Sequence, residues 1–447
     1  MSGAFARGVF EFKTKIAQRP DRAHARVMRQ AERLPGEVLA ARASERAIAL
    51  AGHAFCTTAF YRELYGDAGF TERDFEDASN FAHLPVLEKD GLRDAGDALR
   101  SSTAPPKLLQ STTGGSTGRP LVVWQDPRTP AASLWWRANR WWGIHPADDS
   151  ASVYRRSRTP GQEVVHRLEW WPTRQILLDA RAMDDASMRS FTRLWQRVRP
   201  ALFTGYVDGL HEFAQFITRA GLDLAPPRAI ASTASVLTPS KRAFIESCLA
   251  APVFDCYRSA EVPWIAAQCA KRDGLHVFGD VRIAEVVDQS GEAAPEGVEG
   301  DVLVTDLLNS AFPIIRYRIG DRSAMRSGQC ACGMTLPRID PIQGRIVDVL
   351  RTPDGTMVTG GLSTLFNDRP TAVTQFQLHQ HADYAVTLRY VPGDSGEVAA
   401  AAAEEVAERV RRMLRGDVVV RLEPVDRIEH LGGKARLVTS DLTSNAP

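Results

Sequence analysis

Between residues 190 and 257 the chain alternates between two patterns. SFTRLWQRVRP, DGLHEFAQFITRAG and SKRAFIESCLA place apolar residues at helical spacing, while ALFTGY, RAIAST and PVFDCY are short apolar runs set between them. Such alternation predicts a layered α/β sheet with helices on its faces. Upstream, residues 21 to 100 carry helical periodicity. SERAIALAGHAFCTTAFYRELYG reads as one helix stopped by Gly66, and LPVLEKDGLR as a turn leading into a short helix.

The character changes near residue 280. VRIAEVVD, GDVLVTDL and FPIIRYRIGD are short strands, and RIVDVLRTPDGTMV is a hairpin closed by Asp354-Gly355. YAVTLRYVPG and DVVVRLEPV flank a helix with Val406, Val410, Met413 and Leu414 on one stripe and Gly416 as its stop. At 447 residues the chain is too long for one ordinary core. The expected organisation is a large N-terminal layered α/β domain over residues 1–344, containing a β-rich subdomain, and a small α+β domain over 345–447.

Composition narrows the function classes. A net charge of +1 offers no basic stripe for a polyelectrolyte, so no nucleic-acid partner is expected. No apolar run is long enough to span a bilayer. The N-terminal segment is basic and has no secretory apolar block, so a cytoplasmic location is the expectation. Of the six cysteines, Cys330 and Cys332 are separated by one residue, and Cys269 stands seven before His276. Three thiolates and an imidazole make a tetrahedral, structural zinc set. Cys56, Cys248 and Cys256 are read as plain core residues.

STTGGSTGRP, residues 111–120, sits between two apolar strand-like runs. Glycines let backbone N–H groups converge on an anion, and serine and threonine add donors. A phosphate cradle and a tight structural turn both fit this composition. It is not a P-loop, because no Gly-Lys-Ser/Thr follows.

The motifs that follow this loop narrow the reading. CYRSAE (256–261), YRIGD (317–321), GR (344–345) and GGKARLV (432–438) occur in this order after LPVLEKDGLR and TTGGSTGRP. The set resembles the adenylate-forming ligase superfamily. The nearest branch is the phenylacetate–CoA ligase family, with its capsule-biosynthesis and deazaflavin-coenzyme-adenylating relatives. The resemblance spans roughly residues 45–440 and implies a mobile C-terminal domain that follows a hinge.

The resemblance also implies roles. Thr112, Thr113, Gly114, Gly115, Ser116, Thr117 and Gly118 match the loop that closes over the ATP phosphates. Leu121 stands where many members have lysine, and Arg119 is a candidate to supply that charge. Tyr257 matches the adenine-stacking aromatic, Glu261 a carboxylate that helps hold Mg²⁺, and Ser235 a position on the adenine side. Asp321 matches the carboxylate that accepts from both ribose hydroxyls, and Arg345 an arginine at the hinge. Lys434 matches the lysine that reaches the α-phosphate during adenylation. The chain departs from the usual pattern at Arg258 and Ala260, where glycine and threonine are common, and at Val347, where the hinge residue is usually Asp or Lys.

The family's acid pocket runs from the GY strand through the TAS strand, which makes Tyr206 and Ala234 substrate-site candidates. The implied activity is ATP-dependent conversion of a small-molecule carboxylic acid, plausibly aromatic, to an acyl-AMP, then transfer to a thiol. That thiol belongs to CoA or to an acyl carrier protein's phosphopantetheine. Two alternatives stay open: adenylation of a hydroxyl without thioester formation, and a degenerate nucleotide-binding module serving a partner. A homodimer is compatible with all three.

Overall fold

A computed structural model gives the fold. It describes the chain except residues 1–2, 114–120, 289, 344–349, 354–356, 359–361, 363–364, 367–368, 370–371, 394, 415–417, 429–436 and 443–447. The cradle glycines 114–118 with Ser116 and Thr117, the candidate Arg119, the hinge residues Arg345 and Val347, the turn Asp354-Gly355, the helix stop Gly416, and Lys434 all lie outside the described residues.

Helices open the chain: α1 (Gly3–Ala17), α2 (Arg19–Ala31), α3 (Gly36–Thr57), α4 (Ala59–Asp67) and α5 (Lys89–Ala95). The single helix expected to end at Gly66 is thus two. The break is at Thr58, an extended residue with φ −122° and ψ 141°. Its hydroxyl donates to the Ala54 carbonyl at 2.8 Å and accepts from the Tyr61 amide at 3.2 Å. One side chain closes α3 and caps α4, which is what a hydroxyl residue does at a helix start. Cys56, near this break, is exposed rather than in the core, and Cys248 is half-buried; Cys256 is buried as expected.

The antiparallel pair β1 (Leu109–Thr113) and β2 (Leu121–Gln125) brackets the glycine-rich stretch. Beyond α6 (Ala131–Trp141) the alternation appears: β3 (Ser150–Tyr154), α7 (Pro160–Trp170), β4 (Gln175–Asp179), α8 (Asp185–Val198), β5 (Leu202–Tyr206), α9 (Val207–Arg219), β6 (Ala229–Thr233), α10 (Pro239–Leu249) and β7 (Val253–Tyr257). The strands run parallel in the order β4-β3-β5-β6-β7. All five residues of β6 are buried, as a central parallel strand covered on both faces requires. Trp195, fully buried on α8, donates its indole N–H to the Ala225 carbonyl at 3.0 Å.

At β7 the sheet changes direction. β8 (Ala266–Ala267), β9 (Leu275–Val277), β10 (Arg282–Val287), β11 (Glu299–Asp306), β12 (Tyr317–Arg326) and β13 (Arg338–Ile339) continue it antiparallel, giving one sheet of 11 strands. The expected strand FPIIRYRIGD begins only at Tyr317; Phe312, Ile314 and Ile315 before it are buried in the core that α3 and α4 share with this half.

The last hundred residues form the expected α+β unit. A short antiparallel pair comes first, β14 (Leu350–Arg351) with β15 (Met357–Val358). The main elements are β16 (Val373–Gln380), β17 (Val386–Pro392), α11 (Gly396–Met413), β18 (Val420–Pro424) and β19 (Val438–Ser440), with sheet order β18-β17-β16-β19. Val406, Val410 and Leu414 bury one stripe of α11 against the strands, and Met413 packs at its edge.

Candidate active site

The carboxyl ends of the parallel strands open into one cavity of 1680 Å³. Ligands of open α/β sheets bind at this edge. The volume exceeds that of an ordinary single-ligand pocket and leaves room for a nucleotide and a second molecule.

At one end stand residues from the two sides of the sheet's change of direction. Tyr257, the last residue of β7, donates its phenolic O–H to Asp321 Oδ2 on β12 at 2.8 Å, and both residues are buried. Two positions 64 apart in sequence, singled out separately, therefore form one pair. Glu261 is buried beside them on the cavity wall, and its backbone carbonyl accepts from the Gln125 side chain of β2 at 3.1 Å. That bond ties the carboxylate's loop to the strand that leaves the glycine-rich stretch. Arg258 packs its guanidinium over the Trp264 ring at 4.4 Å, which gives a structural occupation to the position where glycine is common.

At the other end, Tyr206 closes β5 and Ala234 follows β6; both line the cavity, as does Ser235. Ala234 has φ of 77°, a conformation that costs a residue with a Cβ on the order of 1 kcal/mol or more and that clusters at functional sites. The Ser235 hydroxyl donates to Asp208 Oδ2 at 2.8 Å, and Lys241 Nζ donates to Asp208 Oδ1 at 2.6 Å. Beneath this group burial, with the nearby Lys241 charge, lowers the His211 pKa to about 4, so its imidazole is neutral.

Several cavity residues were not singled out in the sequence. Asp208, Lys241 and Arg155 belong to this end, and so does α1. Lys13 of α1 donates to the carbonyls of Glu169 and Trp171 at 2.9 and 2.6 Å, and Phe10 meets Trp136 edge-on at 5.5 Å. The arginine run YRRSR directly after an apolar strand was the one sequence signal for Arg155. Trp135, Trp136 and Trp170 also line the cavity, with Trp135 and Trp170 edge to face at 6.0 Å.

The cysteine set converges away from the cavity. The ligand atoms of Cys269, His276, Cys330 and Cys332 all lie within 4.8 Å of one another. Cys269 and Cys330 sulfurs are 3.7 Å apart, and Cys332 Sγ is 3.4 Å from His276 Nε2. A disulfide is excluded at that separation. Tetrahedral zinc with Zn–S near 2.3 Å places two thiolates roughly 3.8 Å apart, so the donor set fits the ion. Burial lowers the His276 pKa to about 4, which keeps the imidazole neutral, the form that ligates.

No protein-family model matches the chain. Its fold is that of the adenylate-forming ligases. It overlays on 2-hydroxyisobutyryl-CoA ligase in the postadenylation state, in complex with R3-HIB-AMP, with a TM-score of 0.75 at 21% identity, over 92% of this chain and 91% of that one. The anthranilate CoA ligase AuaEII, in complex with anthranoyl-AMP, gives a TM-score of 0.52 at 12% identity over 73% and 65% of the two chains. The sequence relatives belong to the phenylacetate–CoA ligase branch. A phenylacetate-coenzyme A ligase of Thermus thermophilus is 25% identical over 331 residues, 71% of this chain and 73% of the relative. Protein CapK of Staphylococcus aureus is 24% identical over 272 residues, 59% and 58% of the two chains.

Proposed function

We propose that the protein is an ATP-dependent, AMP-forming ligase that activates a carboxylic acid and passes it to a thiol. The observation that carries the reading is the Tyr257–Asp321 pair, set beside Glu261 at the strand ends of a cavity large enough for two substrates. Asp321 holds the ribose hydroxyls and the Tyr257 ring packs on the adenine. A carboxylate oxygen of the acid attacks the α-phosphorus, and pyrophosphate leaves with the bonding electrons. Magnesium, with Glu261 as its protein ligand, neutralises the phosphate oxygens when bound. A thiol then attacks the acyl carbon and AMP departs.

The residues outside the described part take the roles their motifs imply. The 112–118 loop covers the phosphates, Arg345 stands at the hinge, and Lys434 reaches the α-phosphate from a C-terminal domain that begins near 345. The 2-hydroxyisobutyryl-CoA ligase is solved in more than one state. The score on the 2-hydroxyisobutyryl-CoA ligase is 0.75 in its postadenylation state and 0.61 in its thioesterification state with CoA. CoA is the favoured acceptor because the sequence relatives and the overlaid structure are named as CoA ligases, and zinc in the cysteine set is the proposed structural ion.

The test is pyrophosphate release from ATP across aryl and aliphatic acids, with mass spectrometry of the product with and without CoA. An acyl-AMP that becomes an acyl-CoA is the expected result. A stable AMP adduct on a hydroxyl compound would replace this reading, and tight ATP binding with no release on any acid would reject catalysis altogether.

A further inference from the structure

Arg155 directly follows the last residue of β3, so its side chain starts at the carboxyl edge of the parallel sheet. Its guanidinium lies over the Tyr206 ring, 5.6 Å from the centroid. Tyr206 is held in turn, because Tyr154 meets it edge-on at 5.2 Å and is itself hydrogen-bonded to Thr204 at 2.7 Å. Arg155 lines the cavity at its acid end.

The Nε and Nη2 atoms of Arg155 are shut off from solvent, and neither has a hydrogen-bond partner among the described residues. These two nitrogens share one edge of the guanidinium. Three other arginines of this chain use that edge to grip an aspartate. Arg128 holds Asp126 at 3.0 and 2.6 Å, Arg181 holds Asp179 at 2.9 and 2.6 Å, and Arg174 holds Asp149 at 2.9 and 2.5 Å. In each, the chain supplies the acid. At Arg155 no described residue supplies one, and Asp208 on the cavity wall is already engaged by Ser235 and Lys241. A buried donor without a partner is destabilising, and a charged one more so. The edge matches a planar carboxylate in two parallel bonds. The same cavity is lined by Trp135, Trp136 and Trp170, which present flat apolar surface.

We propose that Arg155 determines acid specificity, and that the substrate is a carboxylic acid with a second carboxylate on a flat apolar body. One carboxylate reacts; the other takes the Nε/Nη2 edge of Arg155. The guanidinium turns on its stem to meet the anion and gives up no hydrogen bond at that edge in doing so. This assignment deepens the acid-activating reading above and rests on it.

The experiment measures binding, so that it does not depend on turnover. Matched pairs are titrated calorimetrically: benzoate against terephthalate, and phenylacetate against 4-carboxyphenylacetate, with AMP titrated separately. The proteins are wild type, Arg155→Gln and Arg155→Lys, with thermal melting to verify their folds. The diacids should bind wild type at least about tenfold more tightly, because a site built to pair a polar group discriminates strongly against ligands lacking it. Arg155→Gln should abolish the preference and Arg155→Lys restore part of it, both leaving AMP affinity in place. Equal affinities in wild type, no binding of either class, or a preference that survives Arg155→Gln would overturn the assignment. So would an AMP affinity that falls in step with the diacid affinity, since the edge would then serve the nucleotide. Diacids that bind through Arg155 yet release no pyrophosphate would count against the ligase reading and not against this one.

Discussion

The two ends of the cavity are built on opposite principles. At the nucleotide end the polar groups are already paired with one another, Tyr257 with Asp321 across the junction of the parallel and antiparallel halves of the sheet. At the end proposed to take the acid, Arg155 keeps a buried edge with no partner among the described residues, above a tyrosine that ends a neighbouring strand. A group that binds the same ligand in every relative gains from being fixed in advance. A group that reads a particular substrate keeps its donors for that substrate. Tyr257 and Asp321, and Tyr206 and Ala234 at the other end, were reached from motifs, whereas Arg155 belonged to none.

The largest effect should come from Lys434→Ala. If the C-terminal unit closes over the nucleotide end, pyrophosphate release falls by about 10²–10³, as for loss of one preorganised electrostatic donor. Chemically made acyl-adenylate with CoA should still turn over, because the rotated domain no longer needs the lysine there. Equal loss in both half-reactions would break the comparison by tying both ends to one lysine.

Asp321→Ala comes next. Two charge-assisted hydrogen bonds to the ribose are lost, and the Tyr257 hydroxyl loses its acceptor, so ATP affinity should drop on the order of 100-fold. Acid affinity should hardly move. A parallel loss of acid binding would mean that the ends are not separate sites.

Cys332→Ser should act on the nucleotide end from a distance. The cysteine set joins the segment after β8 and strand β9 to the segment after β12, the strand that carries Asp321. Metal analysis of the wild type should give about one zinc per chain. The variant should lose the zinc, melt at lower temperature and bind ATP several-fold more weakly, with the acid end less affected. Wild-type protein without zinc, or a variant with unchanged melting, would remove the pin.

The smallest effect is Tyr257→Phe, which keeps the ring and removes only the bond to Asp321. A neutral donor to a carboxylate contributes about 1–2 kcal/mol, part of which the freed Asp321 recovers from the ribose. ATP affinity should change less than tenfold. A loss as large as that of Asp321→Ala would show that the pairing, not the carboxylate alone, makes the nucleotide end.

The parallel strands and their helices were legible because each buries an apolar set with its own periodicity. The Cys/His cluster was legible because its ligands carry their chemistry in their identity. The break at Thr58 was not, because Thr57 and Thr58 sit inside an unbroken apolar pattern and only the double use of one hydroxyl ends the helix. Cys56 was misplaced for another reason: it lies inside α3 but off the stripe that Ala47, Ala51 and Ala54 bury. Ser235 was reached from its motif, but its bond to Asp208, an acid contributed from α9, was not legible. Arg155 depends on Tyr206, a neighbour that only the sheet order brings beside it. Long-range pairing of this kind leaves no local trace.

The packing of α1 changes what counts as the edge of this molecule. Lys13 clasps the carbonyls of Glu169 and Trp171 at the end of α7, and Phe10, Phe12 and Ile16 of the same helix border the cavity. The opening segment is therefore a wall rather than a tail. Proteolytic trimming of α1 would widen the acid end and expose the tryptophans behind it while leaving every strand-end residue in place. Such a clipped form would still take up nucleotide but would accept a different range of acids, so heterogeneity at the first helix would register as a change of substrate preference.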